Sequence, residues 1–384
     1  MLKVWTLVLA ILTIFVMACS PSVTPAPPTV APAPTPVQAA KPAAPVSPEN
    51  AAWASVEQAA KKEGVVVIYT AGLAGNVGVA VAKAFKEKYG MKLEVVGGTS
   101  PVMLERVQTE YRVGQYIIDL ADFSEARAMA LKEAGLTVSN KDLPVLQDRT
   151  PWTMYPLDVE PDGHIIAYSY LSVGPWANTN LVKPADEPKS WLDLLDPKWK
   201  GKIIAGDPGV YVGTTQIYYA LVMKSGRLTE DYYRRLAGQM KKFVPGGVQA
   251  QTAELARGEG HINIDGSDSG GARLVTEGAP IKILQLKEGY QLSTGEVMTM
   301  VSKAPHPNAT RLFLSWFLSG EGLKVYAEAA SRTTNRKDVP DFRPAAARAD
   351  PNTGVYIKFE EYPKIQEMYS GGFLVKLLKG ETGK

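Results

Sequence analysis

Acidic side chains follow several apolar runs of this sequence, where they would suit acid–base chemistry or metal binding. Asp265 and Asp268 lie in the polar segment 265–271, and Glu125 and Asp207 follow two other runs. Paired carboxylates can act as general acid and base, and carboxylates also suit hard cations. The sequence contains no nucleophile elbow, HExxH zinc motif or phosphate-binding P-loop. We therefore predict a binding protein without catalytic residues, and not an enzyme.

Glycine and hydroxyl residues accompany these carboxylates, a combination typical of a site for a small polar solute. Glycine lets the backbone approach a ligand, and hydroxyl groups can bond to its oxygens. The predicted ligand-binding residues are Thr70, Ala71, Gly72, Gly98, Thr99, Ser100, Ser124, Glu125, Tyr168, Asp207, Tyr211, Thr214, Thr215, Asp265, Ser267 and Asp268.

Ordinary structural roles compete with ligand binding at several of these positions. Hydroxyl residues also cap helices, which is the alternative for Thr99, Ser100 and Ser124, and Thr214 or Thr215 can cap a helix predicted over 216–225. Tyr168 and Tyr211 have core packing as the alternative. Arg273 either pairs with an anionic solute or faces solvent.

Alternating strands and helices must position these loops. The β-branched run 65–69 predicts a buried parallel strand, and 92–96 and 117–121 predict two more, with helices between them. A second set begins with strands at 203–205 and 261–264. This alternation indicates an α/β fold. Ligands of such sheets bind beyond the carboxyl ends of the strands, where helix N-termini favour anions.

The first fifty residues indicate export and attachment to a membrane. Residues 1–18 combine Lys3, an apolar run and a small-residue cleavage site, as a secretory signal peptide does. Cys19, the only cysteine, follows immediately, and its position resembles the lipidated cysteine of bacterial lipoproteins. Residues 19–50 hold ten of the 28 prolines, which predicts an extended linker. We expect an extracytoplasmic protein, lipid-anchored in the periplasm or on the cell surface.

Length and charge narrow the class of protein further. The remaining residues, about 330, exceed what one core usually serves, so two lobes are expected. The net charge is only +3, with basic and acidic residues well mixed. This balance gives no indication of nucleic acid as a partner.

Several sequence blocks, at 59–64, 198–203, 304–309 and 312–319, together carry a family resemblance. In order and spacing the chain resembles the extracellular solute-binding proteins of ABC importers, in the branch that includes ferric-ion-binding proteins. The resemblance implies a type 2 periplasmic-binding-protein fold: two α/β lobes with a cleft between them, joined by two crossover strands near 165–178 and 292–301. Lobe 1 would comprise 51–170 and 292–384, and lobe 2 would comprise 171–291.

The resemblance also implies a mode of action. Hinge closure would capture a small-molecule solute in the cleft and present it to the transmembrane subunits of an ABC permease. We expect a monomer that needs no cofactor. A ligand-sensing subunit that serves a receptor kinase would use the same cleft and remains an alternative.

Ferric iron is the cargo that the resembling branch suggests. Those relatives use a histidine in the first loop, a glutamate in the third and a tyrosine pair in lobe 2. Here only the glutamate is present, as Glu125, because residues 70–75 contain no histidine and residues 265–271 contain no tyrosine. We therefore predict a small anionic organic solute. Iron or another metal, held by Glu125, Asp265 and Asp268, is the alternative.

Overall fold

A computed structural model of the chain describes residues 48–379. The strands are β1 (Val65–Thr70), β2 (Lys92–Gly97), β3 (Leu120–Phe123), β4 (Ile166–Ala167), β5 (Tyr170–Asn178), β6 (Ile203–Gly206), β7 (Met240–Val244), β8 (Ile262–Ser267), β9 (Ile281–Ile283), β10 (Gln291–Thr294), β11 (Val297–Met300) and β12 (Val355–Tyr356). The helices are α1 (Pro48–Glu63), α2 (Asn76–Tyr89), α3 (Ser100–Arg112), α4 (Glu125–Glu133), α5 (Pro156–Val159), α6 (Gly213–Tyr218), α7 (Glu230–Ala237), α8 (Val248–Ala256), α9 (Asp268–Thr276), α10 (Pro307–Phe317), α11 (Gly320–Ala330), α12 (Tyr362–Ser370) and α13 (Phe373–Lys379). A π-helical turn, Tyr219–Lys224, continues α6.

The first lobe is built on a five-stranded sheet in the order β2-β1-β3-β11-β4. β1 runs parallel to β2 and β3, whereas β11 is antiparallel to β3 and β4. The side chains of Val66 and Ile68 on one face of β1 and of Tyr69 on the other are fully buried, as expected for a strand that is covered on both faces. Aromatic residues of α2 and α10 cover the sheet, and the ring of Phe85 lies 5.2 Å from that of Phe313.

The second lobe is built on a mixed sheet in the order β12-β10-β5-β8-β6-β7, with β9 also paired to β5. β6 is parallel to β7 and β8, and β5 is antiparallel to β8 and β10. Its core contains the tyrosines of α6 and α7, and the rings of Tyr218 and Tyr233 lie 4.9 Å apart. The expected fold of two α/β lobes is confirmed.

Two short segments carry the chain between the sheets. Tyr168 and Ser169 connect β4 to β5, and Gly295 and Glu296 connect β10 to β11. The segments are hydrogen-bonded to each other, because Gly295 N donates to Ser169 O at 2.9 Å and Glu296 N donates to Ser169 Oγ at 2.8 Å. Both lie where the crossover strands were predicted, and we call them the hinge segments.

The C-terminal segment differs from the predicted lobe boundary, which assigned 292–384 as a whole to lobe 1. β12 pairs with β10 in the second sheet, and Ile357, Ile365 and Leu377 are buried in the core of the second lobe. The physical reason is the apolar content of this segment, which completes the second core. The chain therefore passes between the lobes a third time, between α11 and β12.

The described part of the chain begins within the predicted linker. α1 starts at Pro48, so residues 48–50 are helical and do not belong to an extended spacer. At the other end of α1, Glu63 accepts hydrogen bonds from Asn308 Nδ2 at 2.7 Å and Ala309 N at 2.6 Å, which fixes the start of α10. The predicted signal peptide and Cys19 lie outside the described residues. Among the residues that are described, no helix has the length and apolar character that crossing a membrane requires.

Candidate functional site

Asp122, at the carboxyl end of β3, organises the first loop from within the lobe. Its carboxylate accepts hydrogen bonds from the hydroxyl of Thr70, from the backbone N of Gly72 at 3.1 Å and of Leu73 at 3.0 Å, and from Tyr168 Oη at 2.9 Å. Burial, with the negative charge of Glu296 nearby, raises the pKa of Asp122 to about 7. The side chain of Thr70 is therefore turned into the lobe and not toward a cleft.

Two neighbours of Thr70 in the predicted site are also fixed by this network. Ala71 N donates to Asp122 O at 2.9 Å. A Cβ on Gly72 would lie 2.9 Å from both Asp122 Oδ2 and Tyr168 Oη, so glycine is needed for the close approach. Tyr168 itself is fully buried, with its ring 5.1 Å from that of Phe317. Core packing, the alternative considered for Tyr168, is what the structure shows.

The second lobe repeats this arrangement around Asp265 in β8. Asp265 accepts hydrogen bonds from Gly206 N, at 3.0 Å and 3.2 Å to its two oxygens, and from the hydroxyl of Thr214. Burial raises its pKa to about 7. Thr214 is not a helix cap, as one alternative had it, because its side chain is committed to Asp265. The hydroxyl of Thr215 is buried and has no partner among the described residues.

Thr99 and Ser124, which precede α3 and α4, are exposed, unlike Thr70 and Thr214, whereas Ser100, the first residue of α3, is buried. Thr99 and Ser124 occupy the N-cap positions of these helices, yet within the described chain neither side chain makes a capping hydrogen bond. Ser100 Oγ accepts a hydrogen bond from Ser124 N at 3.0 Å, which joins the two loops. Gly98 lies against Met103, where a Cβ would come within 2.4 Å of the methionine methyl group.

Glu125 contacts the second lobe across the space between the sheets. Its carboxyl group lies near the hydroxyl of Tyr362 of α12, and burial raises its pKa to about 8. Tyr362 also lies near Ser293, at the end of β10. The loop after β3 thus faces the C-terminal segment of the second lobe.

Asp207 and Tyr211 follow β6, and neither has the free side chain that the sequence suggested. Asp207 forms an ion pair with Lys379 of α13, at 2.9 Å and 3.0 Å. The ring of Tyr211 covers Gly206 and Gly213, where a Cβ would come within 2.5 Å of it. Burial and the nearby carboxylates of Asp265 and Asp268 keep the pKa of Tyr211 far above its usual range. The loop packs against its own lobe.

Ser267 and Asp268 begin α9, and both have structural partners. Ser267 Oγ caps the helix by accepting from Ser269 N at 3.2 Å. Asp268 accepts from Ser172 N at 3.1 Å and Ser172 Oγ at 2.8 Å, and it forms a buried ion pair with Arg343. Its second oxygen, Oδ1, has no partner in the described chain.

A cavity of about 310 Å³ lies between α9 of the second lobe and the end of α11 of the first. Residues of both lobes therefore face the same space, beside the hinge. The lining residues are Tyr170, Leu171, Asp268, Ser269, Ala272, Arg273, Thr276, Glu277, Ala330, Ser331, Arg332, Thr333 and Arg343. Of the predicted site residues, only Asp268 lies in this lining.

Three guanidinium groups give the cavity its positive character. Arg343 forms ion pairs with both Asp268 and Asp341. Arg273 is exposed and pairs with Glu277 at 2.7 Å, one turn along α9. Arg332 is only 30% exposed, and its ion contact is Glu296 Oε1 at 3.6 Å. Neither Arg332 nor Arg343 was predicted from the sequence, although the polar run 331–336 directly after α11 was a usable indication of Arg332.

The three carboxylates of the metal alternative are not brought into one site. Glu125 lies near Tyr362, whereas Asp265 is bonded to Gly206 and Thr214, and Asp268 to Arg343 and Ser172. No cluster of three or more His, Cys, Asp or Glu side chains arranged to hold a metal ion is found within residues 48–379.

Comparison with known proteins agrees with this architecture. An uncharacterised protein of Haemophilus influenzae is 27% identical over 286 residues, which span 72% of this chain and 79% of that protein. The periplasmic binding protein AfuA of Actinobacillus pleuropneumoniae, solved with exogenous fructose-6-phosphate bound, has 21% identity and a TM-score of 0.56, and the match covers 82% of this chain and 98% of AfuA. The Trichodesmium protein IdiA (FutA), solved with iron and citrate ligands, has 19% identity and a TM-score of 0.62, over 84% of this chain and all of that one.

At these identities the two solved structures establish the fold alone. The family model of bacterial extracellular solute-binding proteins, in contrast, matches residues 80–354, which include every strand from β2 to β11 and both hinge segments. With this match and a two-lobed fold around a hinge, the chain belongs to the bacterial extracellular solute-binding proteins.

Proposed function

We propose that the chain is the substrate-binding lipoprotein of an ABC-type importer for a small anionic organic solute. The solute binds between the lobes, closure about the hinge traps it, and the closed form delivers it to a membrane permease. The protein has no catalytic role of its own. Cys19 carries the lipid anchor, and the proline-rich linker holds the folded part away from the membrane.

The cavity beside the hinge is the observation that carries this proposal. Its volume of about 310 Å³ suits a small molecule, and both lobes contribute to its walls. A ligand that touches both walls favours the closed arrangement, because it binds that state more tightly. Its lining contains three arginines, and one of them, Arg332, has only a 3.6 Å ion contact with Glu296, which leaves its guanidinium available to an anion.

The relatives bind cargo of more than one chemical class. AfuA was solved with a phosphate ester of a sugar, and the Trichodesmium protein with iron and citrate. An acidic organic solute is the class that an arginine-lined cavity favours here, since guanidinium groups recognise carboxylate and phosphate with directed hydrogen bonds. Iron is less well supported because Asp265 and Asp268 are bonded to different partners, and the described residues contain no cluster of three or more candidate metal ligands.

A ligand screen on the full chain, purified gently in detergent, tests this function. Native mass spectrometry first identifies any co-purifying molecule. Melting temperature and small-angle scattering are then measured with fructose-6-phosphate, citrate, glucose and ferric nitrilotriacetate, with nitrilotriacetate alone as the control for the last. We expect an acidic organic compound to raise the melting temperature and to reduce the radius of gyration, with no effect of glucose.

The other outcomes of this screen discriminate among the alternatives. If only ferric nitrilotriacetate stabilises the chain, and nitrilotriacetate alone does not, the cargo is iron and not an organic solute. Stabilisation by glucose alone would refute the anionic character of the cargo. Failure of every acidic compound to stabilise or compact the chain, including any compound found by mass spectrometry, would refute the proposal.

A further inference from the structure

Arg332 is the guanidinium of the cavity whose hydrogen-bonding capacity is least used. It follows Ser331, which ends α11 in the left-handed conformation with φ of 50°. In the described chain its side chain makes no hydrogen bond, and its ion contact with Glu296 Oε1, at 3.6 Å, exceeds normal hydrogen-bond length. A guanidinium carries five N–H donors. Arg332 therefore has donors to offer to a ligand in the cavity.

The guanidinium groups of the other two arginines of the cavity are already hydrogen-bonded to carboxylates. Arg343 donates through Nε to Asp341 at 3.0 Å, through Nη2 to Asp341 at 2.6 Å and through Nη1 to Asp268. Arg273 is 63% exposed and bonded to Glu277, so solvent competes with any ligand for its charge. Arg332 alone among the three combines partial burial with a guanidinium that makes no hydrogen bond in the described chain.

Glu296, the partner of Arg332, lies in the hinge itself. Its backbone N donates to Ser169 Oγ at 2.8 Å, and its backbone O accepts from Tyr168 N at 3.2 Å. The carboxylate thus belongs to the residue that holds the two hinge segments together. Any change in its charge acts where the two lobes pivot.

Building on the function proposed above, we propose that Arg332 binds the acidic group of the solute and that its ion contact with Glu296 is broken when it does so. The solute's carboxylate or phosphate takes the place of the Glu296 carboxylate, which is left in the hinge without its cation. Solute capture is then coupled to the hinge, and it is accompanied by proton uptake at Glu296.

The charges around Glu296 set the sign of this coupling. The groups that face it are Asp122 from β3, Tyr168 from the first hinge segment, Tyr326 from α11, and Arg332. Burial raises the pKa of Glu296, and Arg332 opposes that rise. An anion that neutralises Arg332 removes the opposing charge, so Glu296 binds a proton more tightly in the occupied state. By linkage, affinity for the anion must increase as pH falls.

Sulfate is a suitable probe because its charge is constant over the pH range of interest. We would titrate the full chain with sulfate at pH 5.5 and pH 8 by calorimetry, at an ionic strength matched with chloride. For the wild type we expect tighter sulfate binding at pH 5.5. Arg332→Gln should weaken binding roughly tenfold or more, as for loss of a hydrogen bond between charged groups, and Arg332→Lys should restore part of it.

Glu296→Gln tests the exchange itself, since glutamine mimics the protonated acid. This variant should bind sulfate at pH 8 as tightly as the wild type does at pH 5.5, with little dependence on pH. The control is Arg234→Gln on α7, which removes an exposed arginine paired with Glu230. It should change neither the affinity for sulfate nor the pH dependence of that affinity. Circular dichroism spectra identical to that of the wild type verify folding of each variant.

Three results would overturn the inference. They are the absence of sulfate-specific binding by the wild type, wild-type affinity in Arg332→Gln, and undiminished pH dependence in Glu296→Gln. None of them refutes the broader function, which depends on the organic compounds of the ligand screen. If that screen fails while sulfate still binds through Arg332, the proposed transport of an organic solute is refuted and the anion site at Arg332 stands.

Discussion

Arg343 and Asp268 form an ion pair whose side chains are only 3% and 2% exposed. Arg343 lies on the third passage of the chain between the lobes, and Asp268 begins α9 of the second lobe. Asp341 supplies Arg343 with a second, bidentate partner. The pair therefore anchors the C-terminal segment to the wall of the cavity.

Removal of one member of this pair should destabilise the protein strongly. Arg343→Met leaves the buried carboxylate of Asp268 without its cation, which typically costs about 3–5 kcal/mol. Urea denaturation of the full chain measures this free energy. Arg234→Met, which breaks the exposed pair with Glu230, should cost no more than about 1 kcal/mol. Equal effects of the two substitutions would contradict the structural role of Arg343.

Thr70 and Thr214 should make equivalent contributions to the two lobes. Each hydroxyl donates to a buried aspartate, Asp122 or Asp265, at the carboxyl end of a neighbouring strand. Each substitution to valine should lower the free energy of unfolding by about 1–3 kcal/mol, because a buried acceptor loses a donor. Thr99→Val is the control, since that exposed hydroxyl makes no capping bond in the described chain, and its effect should stay within about 0.5 kcal/mol.

The pH dependence of stability should reveal the ionisation of the Glu125 carboxyl group. Its pKa is raised from 4.5 to about 8 in the folded protein, so between these values the folded state holds a proton that the unfolded state releases. Stability from this group therefore falls as pH rises through that window. Glu125→Gln lacks this ionisation, so the melting temperature of this variant minus that of the wild type should increase from pH 5 to pH 8. A constant difference across the range would show that Glu125 is already ionised at pH 5.

The sequence predicted the loops better than the roles of their side chains. The β-branched run of β1 and the polar segment after β8 located two of the strand ends where ligands of α/β folds bind. Thr70 and Thr214 were expected to face a ligand, but each has an aspartate partner more than fifty residues away in sequence. Such a partner becomes visible only when the strand order is known.

The cavity itself was beyond sequence reasoning because a third passage of the chain builds part of it. Arg332 and Arg343 belong to a polar connection without a motif, and Arg343 lies on the part of it that crosses to the second sheet, where β12 pairs with β10. A two-residue strand such as Val355–Tyr356 carries too little periodicity to predict that pairing. The assignment of the C-terminal residues to lobe 1 was wrong for the same reason.

Cys19 should determine whether the protein stays with the membrane. It is the only cysteine of the chain, so any incorporated fatty acid that is attached through sulfur identifies it. We expect the wild type, expressed in a bacterium, to incorporate labelled palmitate and to sediment with membranes. Cys19→Ser should lose the label and should no longer be held in the membrane by a lipid, because acyl chains supply the apolar area that partitions into the bilayer.

The neighbouring substitution Ser22→Ala is the matched control, since it changes a hydroxyl in the linker and leaves the cysteine intact. This variant should keep both the label and the membrane fraction. A soluble, unlabelled wild type would refute the lipid anchor while leaving the solute-binding lobes unaffected, because residues 48–379 include both sheets, the hinge and the cavity. An anchored wild type would place that cavity within reach of a permease in the same membrane, as import requires.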